Sequence, residues 1–188
     1  MLKFNHGVSF DDMLLVPQFS DIISRKEVDI STQLDKNLTL QIPIISSPMD
    51  TVTESKMAIA IGKSGGLGII HKNLTPKKQA EEVKKVKKNN IIVGAAIGTD
   101  EKDVNRIYKL LEAKVDLIVV DTAHGHTRKV LNTINRIKKI SKNCIICAGN
   151  IATGKAAKFL ADSGTDIVKV GIGPGSICTT RLVTGIGV

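Results

Sequence analysis

The glycine-rich segment from Gly171 to Arg181 contains the residues best suited to chemistry. It reads GIGPGSICTTR. Its glycines permit positive φ angles and close approach to an ion, and successive backbone N–H groups beside Ser176 can bind a phosphate. Cys178 shares the segment with Arg181, and a nearby guanidinium favours the thiolate, the nucleophilic form of cysteine. The segment predicts a nucleophilic cysteine beside an anion site; the alternative is a structural turn with an inert cysteine.

Other polar side chains come directly after short apolar runs. Asp121 could bind a ribose diol, cap a helix or form a buried ion pair. The lysine of the loop His71–Asn73 could attract a phosphate, pair with an acid or remain a solvated charge. His124 and His126 have no cysteine or acidic cluster nearby at the spacing of metal ligands. A structural or substrate-lining role is therefore favoured for these two histidines over a metal site.

Apolar strands and amphipathic helices alternate along the chain and must position these residues. Continuous apolar runs are typical of parallel strands that are covered on both faces. Six strands are predicted, at Ile42–Ser46, Gly68–His71, Ile91–Ala96, Leu117–Val120, Cys144–Ala148 and Ile167–Val170. Five helices are predicted between them, at Glu54–Lys63, Pro76–Lys88, Glu101–Lys114, Arg128–Ile140 and Lys155–Asp162. Thr75 is the predicted N-cap of the second helix. No helix is predicted after the sixth strand.

A repeat of about 25 residues fits either a doubly wound sheet or a (β/α)8 barrel. The polar residues follow five different strands, so five loops point to one rim. A barrel builds its active site from many such loops, whereas a doubly wound sheet uses one or two, so the barrel is preferred. A closed barrel needs eight units. The sequence predicts a partial TIM barrel of about six units over residues 1–188, with segment 1–40 leading into the strands and the cysteine loop at 171–188.

Composition limits the classes of function. Of 188 residues, 42% are hydrophobic and 24% charged, which is a globular balance. Neither a membrane span nor a signal peptide is predicted. The net charge is +9, but the lysines are spread along helices, and one Tyr with no Trp offers few stacking platforms, so no specific nucleic-acid partner is expected. Three scattered cysteines predict a reducing compartment and a cytoplasmic protein.

The sequence Cys144-Ile145-Ile146-Cys147 has the spelling of a CxxC motif. Side chains three positions apart on a strand point to opposite faces. Neither a disulfide nor a shared metal ion fits that geometry. Both cysteines are therefore predicted to be small core residues.

Seven segments in order give a more specific indication. They are FDDMLLVP (Phe10–Pro17), SSPMDTVTE (Ser46–Glu54), GGLGIIHKN (Gly65–Asn73), VGAAIG (Val93–Gly98), VVDTAHGH (Val119–His126), AGNIAT (Ala148–Thr153) and GIGPGSICTTR (Gly171–Arg181). Along essentially its whole length the chain resembles the inosine-5′-monophosphate (IMP) dehydrogenase family. The resemblance implies a (β/α)8-barrel homotetramer that oxidises IMP to XMP with NAD and is activated by a monovalent cation, usually potassium.

The resemblance also implies a role for each matching residue. Cys178 would attack C2 of the hypoxanthine ring, and Thr180 would help to position or activate the water that hydrolyses the covalent intermediate. For IMP, the resemblance implies that Ser176 binds the phosphate and that Ser47, Met49 and Asn150 lie around the nucleotide. For NAD, it implies that Asp121 binds a ribose hydroxyl and that Gly171, Ile172 and Gly173 lie near the nicotinamide. For potassium, it implies coordination by the carbonyls of Gly173, Gly175 and Cys178.

Two departures from the family pattern affect the expected function. Most members carry a pair of CBS modules between the second helix and the third strand, where this chain has only Lys87–Asn90, so these modules are absent between residues 88 and 91. By the same resemblance, we expect residues 1–188 to be without the C-terminal region that supplies the family's last two strands, further phosphate ligands, and a mobile flap with its Arg general base. The resemblance therefore implies incomplete machinery for turnover in this segment.

Two alternative functions remain open. GMP reductase shares the fold, the cysteine and the glycine-rich loop, but it deaminates GMP reductively with NADPH. That enzyme usually has Asn-Gly-Tyr where this chain has His124–His126, which favours the dehydrogenase. A non-catalytic nucleotide-binding fragment is the second alternative.

Overall fold

A short antiparallel hairpin precedes the main sheet. The computed structural model of the protein describes residues 10–187. Strands β1 (Thr32–Asp35) and β2 (Leu38–Leu40) form the hairpin, after two 3-10 turns at Phe10–Asp12 and Arg25–Glu27. The sequence analysis did not predict this hairpin, because its strands are short and contain polar residues in place of a continuous apolar run.

In the described part of the chain, six parallel strands form one curled sheet, an open half-barrel. They are β3 (Ile45–Ser46), β4 (Leu67–Ile70), β5 (Val93–Ile97), β6 (Leu117–Asp121), β7 (Ile145–Ile151) and β8 (Ile167–Val170). Each strand pairs with the next strand in the sequence, with no reversal of order. A doubly wound sheet would reverse its order at a switch point, so the preference for a partial TIM barrel is confirmed.

The strand bounds differ from the predicted ones in ways that affect the site. The first strand covers two residues of the predicted Ile42–Ser46, since Pro43 has no N–H to donate to a ladder. Strand β6 continues to Asp121 and β7 continues to Ile151. Asp121 and Asn150 therefore lie within the last residues of strands and not in the loops that follow.

Within residues 10–187, one α-helix follows each of the six strands of the half-barrel. These helices are α1 (Ser55–Lys63), α2 (Pro76–Lys87), α3 (Val104–Glu112), α4 (Arg128–Ile140), α5 (Gly154–Asp162) and α6 (Thr180–Thr184). The predicted N-cap Thr75 is confirmed, because its hydroxyl accepts a hydrogen bond from the backbone N–H of Lys78. Helix α6 contradicts the prediction that no helix follows the sixth strand, and it carries Thr180 as its first residue. None of the described helices is long and apolar enough to cross a membrane.

Apolar side chains of the strands alternate between two clusters. Leu117 and Val119 of β6 belong to a cluster on the inner face, together with Leu40 of the hairpin. Ile118 and Val120 belong to the larger cluster between the sheet and its helices. Burial of such a side chain stabilises the fold by about 1.5–3 kcal/mol. This alternation fixes which face of each strand looks into the half-barrel.

The two cysteines of the CxxC sequence lie on opposite sides of the sheet. Cys144 belongs to the sheet–helix cluster, whereas Cys147 belongs to the inner cluster. Both thiols are free and buried, and burial raises the pKa of each to about 11. The prediction that both are core residues is confirmed.

Candidate active site at the carboxyl ends of the strands

Parallel pairing brings the carboxyl ends of all six strands to one rim of the half-barrel. The loop after β8 contains Cys178, which is exposed. Its backbone N–H donates to the carbonyl of Gly175 at 3.1 Å, and its thiol donates to the hydroxyl of Thr180 at 3.2 Å. The loop thus presents the sulfur at the surface of the rim beside a hydroxyl group.

Hydrogen bonding to Thr180 is the main influence on the Cys178 thiol. The side-chain hydroxyl and then the backbone of Thr180 lower the pKa of the thiol, and the positive charge of Arg181 contributes less. A thiolate accepts such hydrogen bonds, so they favour the charged form. The sequence analysis assigned this effect to Arg181, and the structure gives the larger part to Thr180.

The glycines of the loop let the chain fold back over Arg181. Gly171 and Gly173 have φ angles of +120° and +58°, which side-chain-bearing residues rarely adopt. A Cβ atom at Gly173 would lie 3.0 Å from Cγ of Arg181. Ile172 between them is buried and anchors the turn. Gly175 and Ser176 beyond this anchor are exposed at the rim.

Asp121 at the end of β6 is held by two lysines of the rim, one from β8 and one from the loop after β4. Lys169 of β8 places its ammonium nitrogen 2.8 Å from Oδ1 of Asp121. Lys72, in the loop after β4, donates to the backbone carbonyl of Asp121 at 2.6 Å and lies 4.0 Å from Oδ2. The sequence analysis left several roles open for Asp121 and Lys72. In the structure Asp121 forms an ion pair with Lys169, and Lys72 has Asp121 as its acidic partner.

Gly149 lets Lys169 reach Asp121. It lies in β7 between the two residues, in register with both. A Cβ atom at Gly149 would overlap the backbone oxygen of Lys169 and lie 2.8 Å from its Cβ. The absence of a side chain at this position is therefore required by the close approach of β8.

The loop after β3 carries Ser47 and Met49, and both are exposed. Thr53, which is fully buried, donates its hydroxyl hydrogen to the carbonyl of Ser47 at 2.6 Å. The backbone N–H of Thr53 also donates to the carbonyl of Met49 at 3.0 Å. The loop therefore has a defined backbone shape even though the two predicted site residues face solvent.

Asn150 has a buried side-chain oxygen without a hydrogen-bond partner among the described residues. Its backbone N–H donates to Thr122 and its carbonyl accepts from Gly125, both at 2.7 Å. The backbone is thus fixed while one strong acceptor remains available. A buried acceptor of this kind is costly unless something donates to it.

An apolar cavity of about 320 Å³ lies on the inner face of the half-barrel. Its lining includes Ser47 from the loop after β3 and Lys169 from β8, with Val119 and Cys147 on its floor. Cys178 is not part of this lining. The cavity is therefore shared by the loop after β3 and Lys169 of β8, whereas Cys178 lies outside it.

The two rim histidines pack against aromatic rings. His124 and His126 contact each other edge-on, with ring centroids 6.5 Å apart, and His126 lies 4.7 Å from the ring of Phe159. Among residues 10–187 no group of three or more His, Cys, Asp or Glu side chains could hold a metal ion. The packing favours the structural role over metal binding.

Comparison with known proteins decides the family. Residues 7–188 match the family model described as the IMP dehydrogenase / GMP reductase domain. The chain belongs to this family. Three proteins named inosine-5′-monophosphate dehydrogenase are similar to it, from Borreliella burgdorferi (40% identical over 97% of this chain and 57% of the relative), Cryptosporidium parvum (41%, 97% and 55%) and Aquifex aeolicus (34%, 99% and 64%).

The chain of this member of the IMP dehydrogenase / GMP reductase family matches only part of the length of these relatives. It spans between 55% and 64% of their length. The alignment with the Aquifex aeolicus protein covers 314 positions, although this chain has 188 residues. The relative therefore contains a long stretch within the aligned region that has no counterpart here.

The sequence analysis missed two residues of this family member's rim, Lys169 and Thr53. A signal for Lys169 was present, since a lone charged residue interrupts the apolar run of β8. Such a residue on a covered strand needs an acidic partner. No signal distinguished Thr53 from the other hydroxyl-bearing residues of its loop, because burial depends on how the loop folds.

Proposed function

We propose that this chain forms the nucleophile-bearing part of an IMP dehydrogenase, which oxidises IMP to XMP with NAD. The observation that carries this proposal is the exposed Cys178 thiol at the rim, with a pKa lowered by Thr180. The lowered pKa raises the fraction of thiolate at neutral pH, and the thiolate is the form that attacks carbon. The names of the relatives support the same activity.

Cys178 acts as the nucleophile in a two-stage reaction. Its sulfur forms a bond to C2 of the hypoxanthine ring, and the hydrogen on C2 leaves as hydride. NAD, when bound, supplies the hydride acceptor. Water then adds at C2, the carbon–sulfur bond breaks, and XMP and a proton are released, so that IMP, NAD⁺ and water give XMP, NADH and H⁺. The Thr180 hydroxyl, 3.2 Å from the sulfur, orients that water by hydrogen bonding.

The nucleotide lies between the loops after β3 and β8 and the carboxyl end of β7. The unpartnered Oδ1 of Asn150 accepts a hydrogen bond from a ribose hydroxyl or ring N–H of IMP, which removes the cost of a buried orphan acceptor. Ser176, exposed in the glycine turn, donates to the phosphate together with nearby backbone N–H groups. Ser47 and Met49 contact the nucleotide from the loop after β3.

The rim residues fit NAD and potassium by the type of their donor atoms. Asp121 uses one carboxylate oxygen for Lys169 at 2.8 Å, and a carboxylate has about four acceptor sites, so a ribose hydroxyl can still donate to it. Segment 171–173 would lie beside the nicotinamide end. Backbone carbonyls suit potassium, and those of Gly173, Gly175 and Cys178 would hold it. The homotetramer and the cytoplasmic location stay predictions.

An assay with two substrate pairs tests the proposal. The chain is mixed with IMP and NAD, and separately with GMP and NADPH, while NADH or NADPH is followed by absorbance. We expect a burst of NADH that approaches one equivalent of the chain with IMP, because hydride transfer precedes the hydrolysis of the covalent intermediate, which limits later turnovers. Cys178→Ala abolishes the burst. NADPH consumption with GMP would instead indicate the reductase, and no change with either pair would indicate a non-catalytic nucleotide-binding protein.

A further inference from the structure

Thr53 is a polar residue that is buried completely within the rim. Its side chain has 0% exposure. All three of its polar groups are used: the hydroxyl donates to the Ser47 carbonyl at 2.6 Å, the backbone N–H donates to the Met49 carbonyl at 3.0 Å, and the backbone carbonyl accepts from the N–H of His71 at 3.3 Å. One residue thus contacts both predicted nucleotide-binding residues of its loop and the strand end beside it.

The contact with His71 ties this loop to the body of the sheet. His71 is itself buried, and its Nδ1 accepts from the N–H of Asn73 at 3.1 Å. Because Nδ1 is an acceptor, the ring hydrogen is assigned to Nε2, which donates to the carboxylate of Glu54 at 3.2 Å. Two neighbouring residues of the loop, Thr53 and Glu54, are therefore held by one histidine at the end of β4.

The exposed part of the loop depends on Thr53 for its shape. Asn73 Nδ2 donates to Oδ2 of Asp50 at 3.4 Å, a long contact between two exposed side chains. Two further backbone-to-backbone hydrogen bonds join Met49 N–H to the Ser47 carbonyl at 2.8 Å and Val52 N–H to the Met49 carbonyl at 3.0 Å. Both run within the turn and do not connect it to the sheet. The Thr53 hydroxyl closes the turn at Ser47, where the loop leaves β3.

We propose that Thr53 is a positioning residue that sets the affinity for a purine nucleotide by fixing the backbone at Ser47 and Met49. This inference rests on the proposed function, because it takes the loop after β3 to contact IMP. Preorganised loops bind with less loss of conformational entropy, so a looser loop weakens binding without removing a contact. Thr53 itself does not touch the nucleotide.

Two substitutions isolate the hydroxyl group. Thr53→Val replaces the hydroxyl with a methyl group of similar size and keeps the backbone contacts, whereas Thr53→Ser keeps the hydroxyl. Thr133→Val is the matched control, because Thr133 is a second buried threonine whose hydroxyl donates to Lys129 within α4 at 2.8 Å. The same chemical change is thereby made away from the rim.

The first measurement is amide hydrogen exchange on the peptide that covers residues 47–54. One lost hydrogen bond accelerates exchange of this peptide about threefold to tenfold in Thr53→Val. Thr53→Ser and Thr133→Val exchange this peptide at the wild-type rate. Wild-type exchange in Thr53→Val would overturn the proposal, since the hydroxyl would then not hold the loop.

The second measurement is the IMP concentration that gives half-maximal protection of Cys178 against iodoacetamide. It rises about threefold to tenfold in Thr53→Val and keeps the wild-type value in Thr53→Ser and Thr133→Val. If the loop exchanges faster in Thr53→Val but IMP protects Cys178 at the wild-type concentration, the proposal that Thr53 sets the affinity for the nucleotide would be overturned. An absence of protection in the wild-type chain would overturn the proposed function itself, and exchange would still report whether Thr53 holds the loop.

Discussion

Replacement of Gly149 by alanine tests how the rim brings Asp121 and Lys169 together. Gly149 lies between them in the sheet, and its added Cβ would overlap the Lys169 backbone oxygen and approach the Lys169 Cβ to 2.8 Å. The two atoms that the new Cβ would meet are the backbone oxygen and the Cβ of Lys169 in β8. Neither is the far end of a flexible side chain, so neither can move aside without moving the strand. Strands β7 and β8 must separate, which also breaks the 2.8 Å ion pair.

The expected cost follows from these two changes. Overpacking against a strand costs about 1–3 kcal/mol. Loss of a partly exposed ion pair adds up to about 1 kcal/mol. For a urea slope of about 2 kcal/mol per M, a loss of about 2 kcal/mol lowers the unfolding midpoint by about 1 M.

The control is Gly154→Ala, at the first residue of α5, where an added Cβ meets no atom within 4 Å. Alanine is the better helix former by up to about 1 kcal/mol, so this variant keeps or raises the midpoint. Equilibrium urea unfolding measures both variants. Equal midpoints for Gly149→Ala and Gly154→Ala would refute the argument that close approach of β8 requires glycine.

Two further predictions concern the thiols. Thr180→Val removes the main cause of the lowered Cys178 pKa, so the pH profile of Cys178 alkylation moves to higher pH and the alkylation rate at neutral pH falls. Thr180→Ser, the control, keeps the wild-type profile. An unchanged profile in Thr180→Val would contradict the assignment of the lowered pKa to Thr180. In the folded chain iodoacetamide modifies Cys178 alone, because burial raises the pKa of Cys144 and Cys147 to about 11. Intact mass then gives one adduct without urea and three in urea, and rapid native labelling of all three would count against the buried positions.

The parallel sheet could be predicted from the sequence because each of its strands comes from a short run of apolar residues that can be recognised locally. Continuous apolar runs separated by helices identified all six strands, and the hydroxyl of Thr75 marked the start of α2 correctly. The β1–β2 hairpin and α6 were missed. Both are too short for a periodic pattern to develop, and they form where the surrounding chain positions them.

The site was predicted less completely than the fold because its interactions join distant parts of the chain. Cys178 and Asp121 could be singled out by residue type and position after a strand. Their partners could not be ranked: Thr180 outweighs Arg181 at the thiol, and Lys169 reaches Asp121 across a glycine. Such pairings depend on register between strands and on loop shape, which residue spacing alone does not determine.

The most direct test of the account is mass spectrometry of the chain after incubation with IMP and NAD. The account predicts a covalent purine adduct on the peptide that contains Cys178, formed with IMP and NAD together and absent in Cys178→Ala. NADH formation with an unmodified Cys178 peptide at every time point, or equal NADH formation by Cys178→Ala, would contradict it.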